Sequence, residues 1–166
     1  MYKKPTERRI PITIRFACEK DIPQMLDLLL QVGEVHHHIR PDLFRAGAQK
    51  YDEAALKRLL KTSDRPILAA EEGGKMVGYA FCILQVTKND PVLCDRRVLY
   101  IDDLCVDENH RGRGIAGALY HRALELAREL SCDAVTLNVW WGNDNALRFY
   151  ENCGLQRQKI GMEKVL

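Results

Sequence analysis

Residues 104–127, "LCVDENHRGRGIAGALYHRALELA", decide the fold, because a strand, a glycine-rich turn and a helix follow one another without a break. Apolar residues recur after the turn at three- and four-residue spacing, which predicts an amphipathic helix over about 114–130. Glycines in such a turn let backbone N–H groups come close to a bound group, and the helix N-terminus adds partial positive charge. The stretch therefore predicts an anion site, most naturally for a pyrophosphate.

The glycine spacing of this turn is open to three interpretations. Gly112-x-Gly114-x-x-Gly117 matches the Rossmann fingerprint literally, but the turn follows the fourth predicted strand, and no acid ends the next strand. A P-loop needs Gly-Lys followed by Ser or Thr, and this turn lacks that ending. The third interpretation is a turn that packs tightly and binds nothing.

Strands and helices alternate around this turn. A strand is predicted over 10–17, and the next helix begins with Asp21 as N-cap and Pro23 in its first turn. That helix ends at Arg40-Pro41, because the residue before proline is pushed out of the helical region. The other predicted elements are a helix (51–62), a hairpin of two strands (66–72 and 76–86), a loop (89–96), a strand (97–106), a strand (134–140), a short helix (145–153) and a closing strand pair (about 155–166). This order predicts an α/β (α+β) domain with a mixed sheet and helices on both faces.

Length and composition narrow the class of protein. A chain of 166 residues is the size of one ordinary domain, so residues 1–166 are interpreted as a single domain. The net charge is only +2 and basic residues alternate with acids, which argues against a nucleic-acid partner. No segment is apolar enough to cross a membrane or serve as a signal peptide, so a cytoplasmic location is expected. The six cysteines never form C-x-x-C, which excludes a zinc ribbon and a dithiol redox motif.

Two motifs resemble the signatures of the GNAT superfamily of acyl-CoA N-acyltransferases. Arg111, Gly114 and Ala116 fit the family's Arg/Gln-x-x-Gly-x-Gly/Ala between the fourth strand and the third helix. Residues 143–155 read Asn-x-x-Ala-x-x-Phe-Tyr-Glu-x-x-Gly-Leu, which is similar to the family's Asn-x-x-Ala-x-x-Phe/Leu-Tyr-Glu-x-x-Gly-Phe. The resemblance spans about residues 10–166, and the closing segment looks like that of bacterial members. It implies a largely antiparallel mixed sheet of six to seven strands, with strands 4 and 5 splayed apart and about four flanking helices.

The resemblance implies acetyl-CoA as co-substrate and no metal. The pantetheine arm is expected to pair like an extra strand with the backbone of Leu104 and Val106. Asn143 is expected beside the cofactor, and Tyr150 is expected to point its hydroxyl at the sulfur. The pyrophosphate is expected on the backbone amides of six consecutive residues: Arg111, Gly112, Arg113, Gly114, Ile115 and Ala116.

The resemblance also implies direct transfer of the acetyl group to a primary amine within a ternary complex. Tyr150 is then the candidate acid that protonates the departing thiolate. Family members often place an acid or a histidine two or four residues before the position of Leu104. Those positions hold Asp102 and Tyr100 in this chain.

Strand alternation supports Asp102 as the base. In a regular strand Tyr100 and Asp102 share the face of Leu104, whereas Asp103 points away and is expected to bond a loop or an arginine. Other members carry a glutamate on the next strand, where this chain has Asn138, which cannot act as a base. Asp102 is therefore the predicted base, acting through a water, and a path of waters alone stays open.

Three consecutive histidines in "EVHHHIRPDLF", residues 34–44, lie at the end of the first predicted helix. Successive helical residues point about 100° apart, so the three cannot all ligate one metal. The resemblance places this stretch in the wall of the acceptor site. The candidate substrate residues are His37, His38, Asp42, Tyr100, Asn138 and Trp140.

The motifs leave the acceptor open. A small cationic amine is the first expectation, because acids lie near the expected amine site. A protein N-terminus or a lysine is the alternative, and a CoA-binding regulatory module without catalysis is another. Core packing of at least one of Trp140 and Trp141 is the first expectation, and the alternative is an apolar wall for the acceptor or for a partner subunit, which would allow a homodimer.

Overall fold

One five-stranded sheet lies between two helical layers in the computed structural model, which describes residues 11–166. The strands are β1 (Thr13–Phe16), β2 (Ile67–Glu72), β3 (Lys75–Thr87), β4 (Arg96–Val106) and β5 (Ala134–Leu137). The helices are α1 (Ile22–Ile39), α2 (Glu53–Leu59), α3 (Ile115–Glu129) and α4 (Asp144–Asn152). Strand order is β1-β2-β3-β4-β5, with β4 and β5 parallel and the other pairs antiparallel. The predicted mixed, largely antiparallel sheet and its four helices are confirmed.

The predicted number of strands is wrong. The described residues form five strands instead of six to seven, and no strand occurs in the predicted closing pair at 155–166. Leu155 packs on the core, but the apolar side chains beyond it do not: Ile160, Met162 and Val165 are 78%, 91% and 80% exposed. A strand pair is stable only when one face is buried, so the segment stays irregular. The first predicted strand begins at residue 10, which lies outside the described residues.

Two apolar cores flank the sheet. Helix α3 packs on one face, where Leu119 and Ala123 are fully buried against sheet residues such as Leu99. Helices α1 and α2 pack on the other face, where Met25 and Leu56 are fully buried. Their apolar stripes at three- and four-residue spacing are what place α1 and α3 on opposite sides of the sheet.

Asp21 is the N-cap residue of α1, as predicted, but its side chain makes no capping hydrogen bond. Its side chain is buried, and its carboxylate accepts hydrogen bonds from Arg15 at 2.7 and 2.8 Å and from the Cys18 amide at 2.8 Å. An N-cap side chain bonds the second or third amide of the helix, and the second residue here is Pro23, which has no N–H. Burial without a partner would be costly for the carboxylate, so Asp21 pairs with Arg15.

A β-bulge in β4 reverses the predicted alternation. On β3, Phe81 pairs with Asp103 but the next residue pairs with Ile101, so Asp102 has no partner. Ile101 and Leu104 consequently both pack into the core on the α3 side. Asp103 instead bonds Tyr79 of the α1 side. The prediction that Asp102 shares a face with Leu104 and Val106 is wrong, because the extra residue shifts the phase of the strand.

The sheet opens between β4 and β5. Their pairing runs from Val98↔Ala134 to Ile101↔Leu137 and stops there, while β4 continues to Val106. Residues 102–106 therefore present backbone N–H and C=O groups without a strand partner on that edge. This divergence confirms the predicted splay of strands 4 and 5. None of the helices formed by residues 11–166 has the length and apolarity to span a bilayer.

Candidate active site

The turn between β4 and α3 presents backbone amides to an anion. Gly112 and Gly114 have φ of +72° and +78°, a left-handed conformation that costs other residues roughly 1–2 kcal/mol. Gly114 is the N-cap of α3, no side chain caps the helix, and its first turn contains no acid. The first amides of a helix have no acceptor within it, so those of Ile115 and Ala116 are available to a phosphate group.

The arginine side chains of this turn hold it in place. Arg111 donates its Nε–H to the Val106 carbonyl at 3.2 Å. Arg113 donates two hydrogen bonds to Glu72 of β2, and these bonds hold the pKa of that carboxyl below its usual value. His110 lies between Glu72 and Asp107, at 3.3 and 3.1 Å. The side chains thus tie the turn to the sheet and leave its backbone for the ligand.

A cavity of about 690 Å³ opens between α1, this turn and the start of α4. Its lining brings together three residues that the sequence singled out, Arg111, Asn143 and His38. The side-chain oxygen of Asn143 accepts a hydrogen bond from the Ala146 amide at 3.2 Å, so this residue caps α4 at the cavity wall. The cavity lies beside the turn where an anion fits.

Tyr150 lies on α4 with a hydroxyl that makes no hydrogen bond to any residue of 11–166. Its partly buried ring packs on Phe149, with centroids 4.9 Å apart, and on Tyr120 at 6.3 Å. Burial, and after it the negative charge of Asp103, raises the pKa of Tyr150. The hydroxyl therefore stays protonated at neutral pH and can donate.

Two adjacent carboxylates, Asp102 and Asp103, directly follow Ile101, the last residue of β4 that pairs with β5. Asp102 accepts a hydrogen bond from Lys50 at 2.6 Å, and Asp103 accepts one from the Tyr79 hydroxyl at 2.9 Å. Burial raises the pKa of Asp103 to about 6. The loop or arginine partner predicted for Asp103 is therefore wrong, because the buried hydroxyl of Tyr79 satisfies it. Lys50 was not predicted, since nothing in its local sequence indicates a long-range ion pair.

An aromatic wall, defined as His36, Phe44 and Trp140, faces the end of β5. Ring centroids are 5.0 Å apart between His36 and Phe44, and 5.2 Å apart between Phe44 and Trp140. Burial, and then the charge of Lys50, lowers the pKa of His36, so its ring is neutral at pH 7. Sequence reasoning missed His36 and Phe44. The signal for His36 is its spacing, because it continues the α1 stripe of Met25, Leu29 and Val32.

The remaining predicted substrate residues are bonded within the protein. His37 pairs with the Phe44 carbonyl and His38 with the Glu34 carbonyl, both at 2.7 Å. The side-chain amide of Asn138 donates a hydrogen bond to the Tyr100 hydroxyl at 3.1 Å. This bond links β4 to the residue that follows β5, where the two strands diverge.

Asp42 is occupied by a neighbouring arginine. Arg40 donates to Asp42 at 2.9 and 2.6 Å and to Glu163 of the C-terminal segment at 2.8 Å. Asp42 thus shares the positive charge of Arg40 with Glu163. Across residues 11–166, no group of three or more His, Cys, Asp or Glu side chains is arranged to hold a metal ion.

Comparison with known proteins yields one family. The model of the acetyltransferase (GNAT) family matches residues 32–155. An uncharacterized N-acetyltransferase of Methanocaldococcus jannaschii is 28% identical over 148 residues, which cover 89% of this chain and 62% of the archaeal protein. The N-alpha-acetyltransferase RimI of Mycobacterium tuberculosis is 32% identical over 118 residues, covering 71% of this chain and 68% of that protein. The chain thus spans less than two thirds of the archaeal relative.

Solved structures share the fold. The tetramutant of the BH1408 protein from Bacillus halodurans is 31% identical, with a TM-score of 0.88, and the match covers 93% of this chain and 99% of that one. An aminoglycoside acetyltransferase from an uncultured soil metagenomic sample has a TM-score of 0.69 at 21% identity, which shows a shared fold alone. Motifs, fold and relatives converge, and the chain belongs to the GNAT family of acetyltransferases, which use acetyl-CoA as co-substrate.

Proposed function

We propose that the protein moves the acetyl group of acetyl-CoA directly to a primary amine in a ternary complex. One observation carries this proposal: Asp102 and Asp103 directly follow the point where β4 stops pairing with β5, and the charge of Asp103 acts on Tyr150, whose hydroxyl is unbonded within residues 11–166. An acid and a base at one opening are what amine acylation requires, because a proton leaves the amine and another reaches the leaving thiolate.

The shape of the opening supports the binding of acetyl-CoA. The pyrophosphate group fits the amides of 111–116 at the start of α3, whose first turn contains no acid. The pantetheine arm fits the open backbone edge of β4 at Leu104 and Val106. Asn143 borders the cavity between them. This path ends at the two carboxylates.

The proposed chemistry balances with these residues. An amine near pKa 10 is mostly protonated at neutral pH, so it first gives a proton to the carboxylate pair, directly or through a water. The amine nitrogen then bonds the acetyl carbon, and the carbon–sulfur bond breaks as Tyr150 gives its proton to the thiolate. The acylated nitrogen gives up its second proton, which restores the Tyr150 hydroxyl directly or through a water. Lys50 already neutralises Asp102, the base predicted from sequence, so Asp103 is the member of the pair better able to accept the proton.

The acceptor we propose is a small cationic amine, which suits a site with carboxylates. A protein N-terminus is a second candidate, because the aromatic wall offers an apolar surface for a neighbouring side chain. The M. tuberculosis relative is named as an N-alpha-acetyltransferase, which agrees with this candidate.

Release of free thiol from acetyl-CoA tests the proposal. The acceptor panel should contain monoamines, polyamines, amino acids, and peptides with free or blocked N-termini. We expect turnover with at least one free amine and none with blocked peptides that lack lysine. CoA binding without turnover for any acceptor would identify a regulatory module, and absence of CoA binding would refute both.

The pH dependence of turnover distinguishes the two carboxylates. We expect kcat/KM to rise with pH through about 6, because Asp103 must lose its proton before it can accept another. Asp103→Asn should remove this inflection, whereas ionisation of the amine itself, at higher pH, remains. Asp102→Asn should move the inflection to lower pH, because the negative charge of Asp102 raises the pKa of Asp103 after burial does. If Asp102→Asn removes the inflection instead, Asp102 is the base.

A further inference from the structure

The ammonium group of Lys50 already occupies one of the two carboxylates of the proposed site. Its Nζ lies 2.6 Å from Oδ2 of Asp102, whose side chain is only 16% exposed. The same Nζ also lies over the ring of Tyr51, 5.6 Å from its centroid. An amine that enters between β4 and β5 therefore comes close to the positive charge of Lys50.

The position of Lys50 is set by the loop that carries it. On one side, Gln49 donates its side-chain amide to the Leu26 carbonyl of α1 at 3.0 Å. On the other side, the carboxylate of Asp52 caps α2 through the Ala55 amide at 2.7 Å. The backbone is thus anchored to both helices next to Lys50, and the ion pair follows from the fold.

Asp102, Asp103 and Lys50 together leave one negative charge uncompensated. Lys50 offsets Asp102, and the aromatic wall is uncharged because His36 is neutral. Once ionised, Asp103 has the Tyr79 hydroxyl and the Leu104 amide as hydrogen-bond partners, and it makes no ion pair with any residue of 11–166. The opening can neutralise one added positive charge, and a second would be repelled by Lys50.

We infer that Lys50 is a specificity-determining residue that restricts the acceptor to one positive charge at its reacting end. Acting as a fixed counter-ion of Asp102, it leaves a single carboxylate for a single ammonium group. The aromatic wall beside it suits an uncharged neighbour. The acceptors that fit are monoamines, or chain N-termini followed by an apolar residue, and polyamines are disfavoured. This inference rests on the proposed acetyl transfer.

The test compares two acceptors of equal length, butylamine and 1,4-diaminobutane, which differ by one positive charge. Thiol release from acetyl-CoA gives kcat/KM for each, and calorimetry gives their affinities for the protein saturated with CoA. In the wild type, the ratio of the two kcat/KM values and the ratio of the two affinities should both favour butylamine. In Lys50→Met, which keeps the chain length and removes the charge, both ratios should shift toward the diamine by about tenfold.

Lys50→Arg should keep the wild-type ratios, because the charge is retained. Lys57→Met is the matched control, since Lys57 pairs only with Glu53 on α2 and lies outside the site. Lys50→Gln replaces Lys50→Met if the latter does not fold. Unchanged ratios in both neutral variants would overturn the inference. If the proposed function is wrong, no variant acetylates either amine. The ratio of the two calorimetric affinities then tests the role of Lys50 by itself.

Discussion

Tyr150→Phe is expected to lower kcat by about 10²- to 10⁴-fold, the usual contribution of a positioned proton donor. The substitution removes a hydroxyl that bonds no described residue and keeps the ring that packs on Phe149 and Tyr120. Affinity for CoA should therefore stay near that of the wild type. Single-turnover thiol release and calorimetric CoA binding measure the two effects separately.

Tyr120→Phe is the control for this prediction. Tyr120 packs on Tyr150 in the same core, with ring centroids 6.3 Å apart, so Tyr120→Phe removes a neighbouring hydroxyl and keeps the ring packing. We expect its kcat to stay within a few-fold of wild type. If Tyr150→Phe abolishes CoA binding, or if both variants lose kcat equally, the role of Tyr150 is structural.

Arg15→Met is expected to lower the free energy of unfolding by about 3 kcal/mol. The substitution leaves the carboxylate of Asp21, which is 2% exposed, without its cation. The expected loss is at the low end for a buried pair, because the Arg15 side chain itself is 24% exposed. Urea unfolding at neutral pH measures the loss. Lys57→Met, which breaks an exposed pair, should leave the free energy of unfolding nearly unchanged.

The pH dependence of this loss has a definite sign. Burial alone would raise the pKa of Asp21, but its hydrogen bonds to Arg15 and Cys18 lower it below the ordinary value of 3.8. The pair therefore stabilises the wild type above about pH 4, and this contribution disappears as pH falls through the lowered pKa. The difference between wild type and Arg15→Met should shrink in acid. A difference that does not vary with pH would mean that lost packing, not an unpaired charge, destabilises the variant.

Local sequence was enough to predict the strand, turn and helix around the anion site. The positive-φ glycines, the missing acid in the first turn of α3 and the buried stripe with Leu119 are all properties of neighbouring residues. The splay of β4 and β5 was predicted only through the family resemblance. No local pattern specifies where the pairing of two distant strands stops.

The errors have long-range causes. Alternation along β4 placed Asp102 and Asp103 on opposite faces, but the bulge depends on the register with β3, which single-strand reasoning cannot see. The Lys50–Asp102 pair joins residues 52 positions apart. The carboxylate of Asp21 bonds Arg15 and therefore does not cap the helix. Which of two polar partners a side chain chooses depends on the assembled fold.

The open edge of β4 connects the proposed binding of CoA with the stability of the fold. Residues 102–106 present unpaired backbone groups in extended form, and such an edge can pair with any chain, including a neighbouring copy. A bound pantetheine arm would occupy this edge and, by mass action, stabilise the folded state. Cellular CoA would then stabilise the folded protein, and the protein would be more prone to aggregation in cells that contain little CoA.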